Sequence, residues 1–133
     1  MSGIEIIKNV FRSGFDLDEL HWTAWEEPGR AGVEHHILWA PQGREEDSAG
    51  LLLRFPAGAH GDFHEHLGYE LMLVLDGRLD HSNGASFEAG DLVVEAPGTR
   101  HRMSSATGCT VLAIRTKPAS ARAPRPGEVA AER

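Results

Sequence analysis

The chain has a single cysteine, Cys109, in 133 residues, so no internal disulfide can staple it and a packed core must hold it together. No apolar run approaches the roughly 20 residues that a membrane-crossing helix needs, and the N-terminal MSGIEIIKNVFRSGFD lacks a signal-peptide pattern. Positive charge is also scarce. Thirteen Lys and Arg stand against 20 Asp and Glu, a formal net charge of -7. A domain of that sign gains nothing from a phosphate backbone or an anionic membrane surface, which argues against nucleic acid and membrane as partners. Cytoplasm is the default location these absences leave. Long amphipathic helices are missing too.

What is present is glycine, 15 residues, and proline, seven, both of which break helix interiors. A length of 133 residues and 41% hydrophobic content suit one domain with a real core. Strand-like runs begin at Val33: VEHHILW (33–39), GLLLRF (50–55), YELMLVL (69–75), Ala85 to Glu88, Leu92 to Ala96 and CTVLAIRT (109–116). Asp76-Gly77 and Asn83-Gly84 read as tight hairpin turns, with RLDHS (78–82) returning from the first. Short strands and frequent turns predict an all-β sandwich or barrel. Residues 1–25 read as an N-terminal arm, with a short helical turn over Asp16 to Leu20, that packs over the main sheet or meets a partner subunit. Residues 26–117 form the barrel. The tail 118–133, Ala/Pro/Arg/Glu with almost nothing to bury, reads as disordered.

One constellation carries chemistry. His64 and His66 occupy alternate positions, so on a strand they point to one face and can aim two imidazoles at one point. Glu70 follows four residues later and His101 lies far downstream; Gly58 precedes the pair and Gly77 follows the acid. Leu67-Gly68 can reverse the chain and bring Glu70 back beside the histidines. Met72 and Val74 then share its face and line the pocket floor. Together these residues describe a coordination shell for a divalent metal.

The spacing Gly58, His64, His66, Glu70, Gly77 resembles the first motif of the cupins, and Gly90-Asp91, Pro97-Gly98 and His101 resemble the second. Ala96 stands where that family usually has Pro and Ser105 where it usually has Asn. Within the cupins the chain is similar to the ChrR-like branch, through HRMSSATGC (101–109), Trp25, Gly32-Val33 and the run Gly50 to Gly58, over about residues 22 to 117. The resemblance implies a single-domain, jelly-roll-like antiparallel β-barrel. It also implies a metal held by His64, His66, Glu70 and His101, with Glu70 either a ligand or a base that orients substrate. Three imidazoles and a carboxylate suit Fe or Zn first, then Mn, Ni or Cu, rather than Mg or Ca. On a six-coordinate ion two adjacent positions would stay open, as a catalytic site needs.

Other polar residues have plainer readings. His60 shares the parity of His64 but reads first as a loop residue; His21, His35, His36 and His81 read as ordinary strand or loop residues. Arg54 either holds an anionic substrate or snorkels to the surface. Cys109 reads as a small buried hydrophobe, and Trp22, Trp25 and Trp39 as packing or dimer interface.

Two functions follow. The first is a metal-dependent oxygenase acting on a small organic molecule, since some ChrR-like relatives resemble dioxygenases that cleave diketones or acyl-phenols. The second is a zinc- or ligand-binding sensor, since others form the C-terminal half of zinc-dependent anti-sigma factors. The few residues before the barrel leave no room for the helical domain such factors use. Barrel edge strands and the apolar arm predict a homodimer.

Overall fold

Strands form where large apolar residues recur at alternate positions, and turns where glycine and proline interrupt them. The computed structural model describes residues 3–11, 15–24, 32–40 and 47–121. Along the chain come a one-turn helix α1 (Phe15–Asp18), then β1 (Thr23–Ala24), β2 (Glu34–Trp39), β3 (Ala49–Phe55) and β4 (Ala59–His60). After these lie β5 (His64–His66), β6 (Glu70–His81), β7 (Ser86–Glu88) and β8 (Leu92–Glu95). The last four are β9 (Arg100–His101), β10 (Met103–Ser105), β11 (Cys109–Arg115) and β12 (Ala119–Ala121). Every pairing is antiparallel. The larger sheet runs β1-β2-β3-β11-β6-β10-β4, with β7 and β8 also on β6, and the smaller runs β12-β5-β9. This is the all-β antiparallel barrel expected from the sequence.

The two faces of the large sheet hold separate clusters. On the inner face Leu51, Leu53, Phe55, Met72, Val74, Leu79, Met103 and Val111 pack together. On the outer face Leu52 and Leu75 meet Leu17, with Ile7, Val10, Leu20 and Trp22 of the N-terminal arm against them. The arm therefore covers the sheet from outside. Arg54 pins it there: its guanidinium pairs with Glu34 at 3.0 Å and lies 4.4 Å from the Trp22 ring centroid. His36 helps, meeting Glu5 at 2.9 Å. Arg54 is thus an outer-face clamp, away from the histidine cluster. Trp39 reads as packing, lying over Gly50 with its Nε1 donating to Ser48 Oγ at 2.9 Å. Trp25 lies outside the described residues.

Two expectations need correction. Asp76-Gly77 is no hairpin; β6 runs unbroken from Glu70 to His81. Opposite it, Val111 pairs with Val74 and Thr110 with Asp76, so Leu75 is an extra residue in a β-bulge. Glycine is needed at 77 for a different reason than a turn. Its φ is +79°, and an added Cβ would collide with the Gly108 carbonyl oxygen and sit 2.8 Å from Cys109 Cα. The second correction concerns the tail. Ala119–Ala121 form β12, pairing with β5. Strand pairing uses backbone groups, so a segment with no side chains to bury can still join a sheet. Residues 122–133 lie outside the described residues.

The family positions that depart from the usual residue keep their turns. Ser105 Oγ donates to the Arg78 carbonyl at 2.5 Å and accepts from Gly108 N–H at 2.9 Å, which ties the bulge to the turn beside it. Ala96, Pro97, Gly98 and Thr99 form a turn with Thr99 N–H on the Ala96 carbonyl and Gly98 at φ +89°, the pattern of a Pro-Gly type II turn.

Gly77→Ala should cost about 3 kcal/mol or more in urea unfolding, because left-handed strain adds to a backbone collision. Gly84→Ala, at φ +96° with open space around it, should cost only the strain, about 1–2 kcal/mol. Equal losses at the two sites would show that close backbone approach at the bulge is unimportant.

Candidate metal centre

The site is assembled by three strands. His64 and His66 both point inward from β5, as alternation requires, and both are buried. Antiparallel pairing sets His101 of β9 directly opposite His64. The Pro97-Gly98 turn clasps the same strand: Gly98 N–H donates to the His66 carbonyl at 2.8 Å, and His66 N–H to the Thr99 carbonyl at 2.9 Å. Thus one turn seats His66 and delivers His101. Glu70 opens β6, inward-facing and buried. All four expected residues come together, each offering one ligand atom, and these atoms lie within 4.8 Å of one another.

The three imidazoles stand mutually perpendicular, with centroids 4.5–4.8 Å apart. His64 Nδ1 donates to the Asp62 carbonyl at 2.9 Å, which leaves its Nε2 lone pair buried and without a partner. His66 Nε2 and His101 Nε2 are 2.9 Å apart. Neighbouring donors on one ion at ordinary Zn–N distances would be separated by about 3 Å. A stranded nitrogen beside two others at that separation fits a shared cation. Glu70 gives one oxygen, Oε2, to Arg115 Nε at 2.8 Å, while Oε1 lies 3.9 Å from His101 Nε2.

Two of the imidazoles, His64 and His101, are in the form a metal requires. Burial, reinforced by the neighbouring His101, lowers the His64 pKa to about 3, and burial lowers His101 although Glu95 opposes it. Both rings are neutral near pH 7, with lone pairs to offer. Beside them is a cavity lined by His64, Glu70, His101 and Arg115, with apolar walls from Leu53, Phe55, Met72, Leu79, Met103 and Val111. Met72 is in that wall as expected from its parity with Glu70; Val74, on the same face, belongs to the core instead.

Three residues at the site escape the sequence reading. Glu95, from β8, has Oε2 2.5 Å from His101 Nδ1. His81, at the end of β6, has Nε2 3.1 Å from Glu95 Oε1. Arg115, on β11, holds Glu70. Glu95 had a legible signal, since it shares parity with Val93, which packs on the core. His81 had none, because the bulge at Leu75 reverses which parity faces inward. Arg115 became a site residue through the register of β11 against β6, where it sits opposite Glu70. His60 lies on β4, with Nδ1 2.9 Å from the Gly61 carbonyl, outside the cluster. Cys109 packs in the inner core, and burial pushes its thiol up to about 12, as suits an unreactive hydrophobe.

The model of the ChrR cupin-like domain matches residues 12–120. The chain belongs to the ChrR cupin-like family. Among solved structures, this ChrR-like cupin is similar to a putative acetylacetone dioxygenase from Methylibium petroleiphilum, at 18% identity and a TM-score of 0.72, covering 85% of this chain and 82% of that one. An acetylacetone dioxygenase from Acinetobacter johnsonii matches at 18% identity and a TM-score of 0.69, over 83% and 76%. The complex of Rhodobacter sphaeroides SigE with the anti-sigma ChrR matches at 29% identity and a TM-score of 0.59, over 74% of this chain. The chain spans about half the length of the chain it matches there, 51%. No curated protein matches the sequence. Among the described residues no helix is long and apolar enough to cross a membrane.

The depressed His64 pKa has a consequence for stability. Below the ordinary value of 6.5 an unfolded chain takes up a proton that the native ring refuses until about pH 3. Native stability is therefore whole above 6.5 and falls as the pH drops through that window, at up to about 1.4 kcal/mol per pH unit. Of the stability that metal-free protein loses between pH 7 and pH 5 in urea titrations, His64 should account for ~2 kcal/mol, and His64→Gln should make the profile shallower by that amount. A slope unchanged by the substitution would mean that the ring protonates freely in the native state.

Proposed function

We propose that this cupin is a metal-dependent, oxygenase-type enzyme acting on a small organic molecule. The observation that carries the reading is the convergence of three histidines and one carboxylate beside an apolar-walled cavity. His64, His66 and His101 would hold the ion through their Nε2 atoms, and Glu70 through the oxygen that Arg115 does not occupy. Fe or Zn suits the donor set best, with Mn, Ni and Cu also compatible. When bound, such an ion would supply Lewis-acid stabilisation of an anionic substrate and open coordination positions.

The chain's own residues supply the rest. Leu53, Phe55, Met72, Leu79, Met103 and Val111 exclude water from the cavity and strengthen every charge interaction inside it. Arg115 pairs with the buried Glu70 through its Nε at 2.8 Å and fixes the carboxylate beside the histidines. In this reading Glu70 is the catalytic carboxylate, a ligand whose Oε1 also faces the space where substrate would bind.

Fold likeness to two acetylacetone dioxygenase structures supports the oxygenase reading. The likeness to the SigE–ChrR complex favours a second, a metal- or ligand-binding sensor. The sensor reading requires the same ligands and no turnover. In either case the proposed partner is a small molecule and the proposed setting is the cytoplasm. A homodimer is part of the proposal. β8 is an edge strand that exposes Leu92 and Val94, and the arm exposes Ile4, Ile6 and Phe11.

Protein purified without chelator should carry one transition metal per chain, and His64→Ala or His101→Ala should abolish stoichiometric loading. Oxygen uptake with Fe(II) and a panel of β-diketones separates the two readings: turnover dependent on Fe(II) supports the enzyme, whereas tight zinc without turnover supports the sensor. Full metal occupancy in either alanine variant would overturn the ligand assignment. Sedimentation of the parent should give twice the chain mass, and Val94→Glu should shift it towards monomer.

A further inference from the structure

We propose that Glu95 and His81 are positioning residues, which set the tautomer and orientation of His101 so that its Nε2 lone pair faces the metal. This rests on the metal-binding reading above and adds to it two residues outside the ligand set.

The chain of contacts can be followed from the backbone inward. Past the end of β6, the Asn83-Gly84 turn brings the Asn83 N–H onto His81 Nδ1 at 3.0 Å. A backbone N–H can only donate, so His81 Nδ1 is an acceptor and the proton of the neutral ring sits on Nε2. That Nε2–H faces Glu95 Oε1 at 3.1 Å. The other oxygen, Oε2, is 2.5 Å from His101 Nδ1. A carboxylate has only acceptors to offer, so the proton at this contact comes from His101 Nδ1. His101 is then left with a bare Nε2, the atom that lies 2.9 Å from His66 Nε2. His101 Nδ1 is also 3.3 Å from His81 Nε2, but the carboxylate oxygen at 2.5 Å is the nearer acceptor for a proton at that nitrogen. Glu95 Oε2 is also 3.5 Å from His66 Nε2, a longer approach than its contact with His101.

Burial makes the arrangement consequential. His101 is fully buried and the Glu95 side chain is 12% exposed, so water has little access to replace the carboxylate if it is removed. A carboxylate held this close behind His101 makes the ring a stronger donor as well as a better oriented one.

The test is Co(II) titration of the full chain, stripped of metal, with competition by a chelator to obtain affinity and with visible spectra to report the ligand field. Glu95→Ala should weaken Co(II) binding about 10- to 100-fold and shift the visible bands. Glu95→Gln keeps an acceptor for His101 Nδ1 without the charge, and should recover part of the loss. His81→Gln should weaken binding less, and should cost nothing further in a Glu95→Ala background, since it acts through Glu95. Glu95→Ala affinity within about threefold of the parent, or full additivity of His81→Gln and Glu95→Ala, overturns the inference while leaving the metal site standing. A parent chain that takes up no Co(II) overturns the metal reading and this inference with it.

Discussion

Burying imidazoles is the constraint around which this barrel is organised. A protonated histidine cannot be sustained in an apolar interior without an anion beside it, and a neutral one needs a partner for each ring nitrogen. Four histidines, two carboxylates and Arg115 lie in or beside a cavity otherwise walled by Leu, Phe, Met, Val and Gly61. The fold meets the polar demand nearly everywhere: His64 Nδ1 on a backbone carbonyl, Glu70 on Arg115, and Glu95 facing His81 and His101. The demand left unmet in the cluster includes the Nε2 atoms, that of His64 without a partner and those of His66 and His101 pressed together. Polar satisfaction that stops at three converging nitrogens leaves a cluster that could hold a cation.

Strand β6 is what joins the separate parts. Its first half carries Glu70 between β8 and β11, and its second half pairs with β7 and β10. Without the bulge at Leu75, the residues facing inward from the first half would be on the opposite parity to His81. The extra residue lets Glu70, Met72 and Val74 face inward before it, and Leu79 and His81 after it, while Leu75 turns out to meet the N-terminal arm. The glycine at 77 makes this geometry sterically feasible, because β6 and the Gly108 turn approach too closely for a side chain. One irregularity therefore supplies both a ligand position and the residue behind another ligand.

The outer face bears on the site indirectly. Leu52, Leu75 and Leu112 would expose an apolar surface if the arm did not cover them, and Arg54, Trp22, His36 and Glu5 hold it in place. With the outer face occupied in this way, the inner face of the same strands is free to be a site. Structures that share this fold include acetylacetone dioxygenases and the SigE–ChrR complex, so the fold by itself does not say what the cluster and cavity do.

The ligand set was readable because its logic is local. Alternate positions on a strand share a face whatever the strand packs against, so His64 and His66 follow from spacing alone; Leu67-Gly68 can return Glu70 beside them, and the Pro97-Gly98-to-His101 interval was legible through its resemblance to the second cupin motif. Strand positions were legible for the same reason, in hydrophobic alternation and glycine punctuation. The bulge was not: Asp76-Gly77 has the composition of a hairpin turn, and only the pairing of β11 across both halves of β6 makes it part of one continuous strand. His81 and Arg115 were hidden with it, since parity after a bulge and register between strands distant in sequence are set by long-range pairing. β12 was hidden because backbone hydrogen bonds leave no trace in side-chain composition. What the amino-acid order determines by itself is the inventory of donors and the strands that carry them. Which of those donors meet, and which side chains stand behind them, is decided only when the strands pair, because that is when facing and distance acquire values.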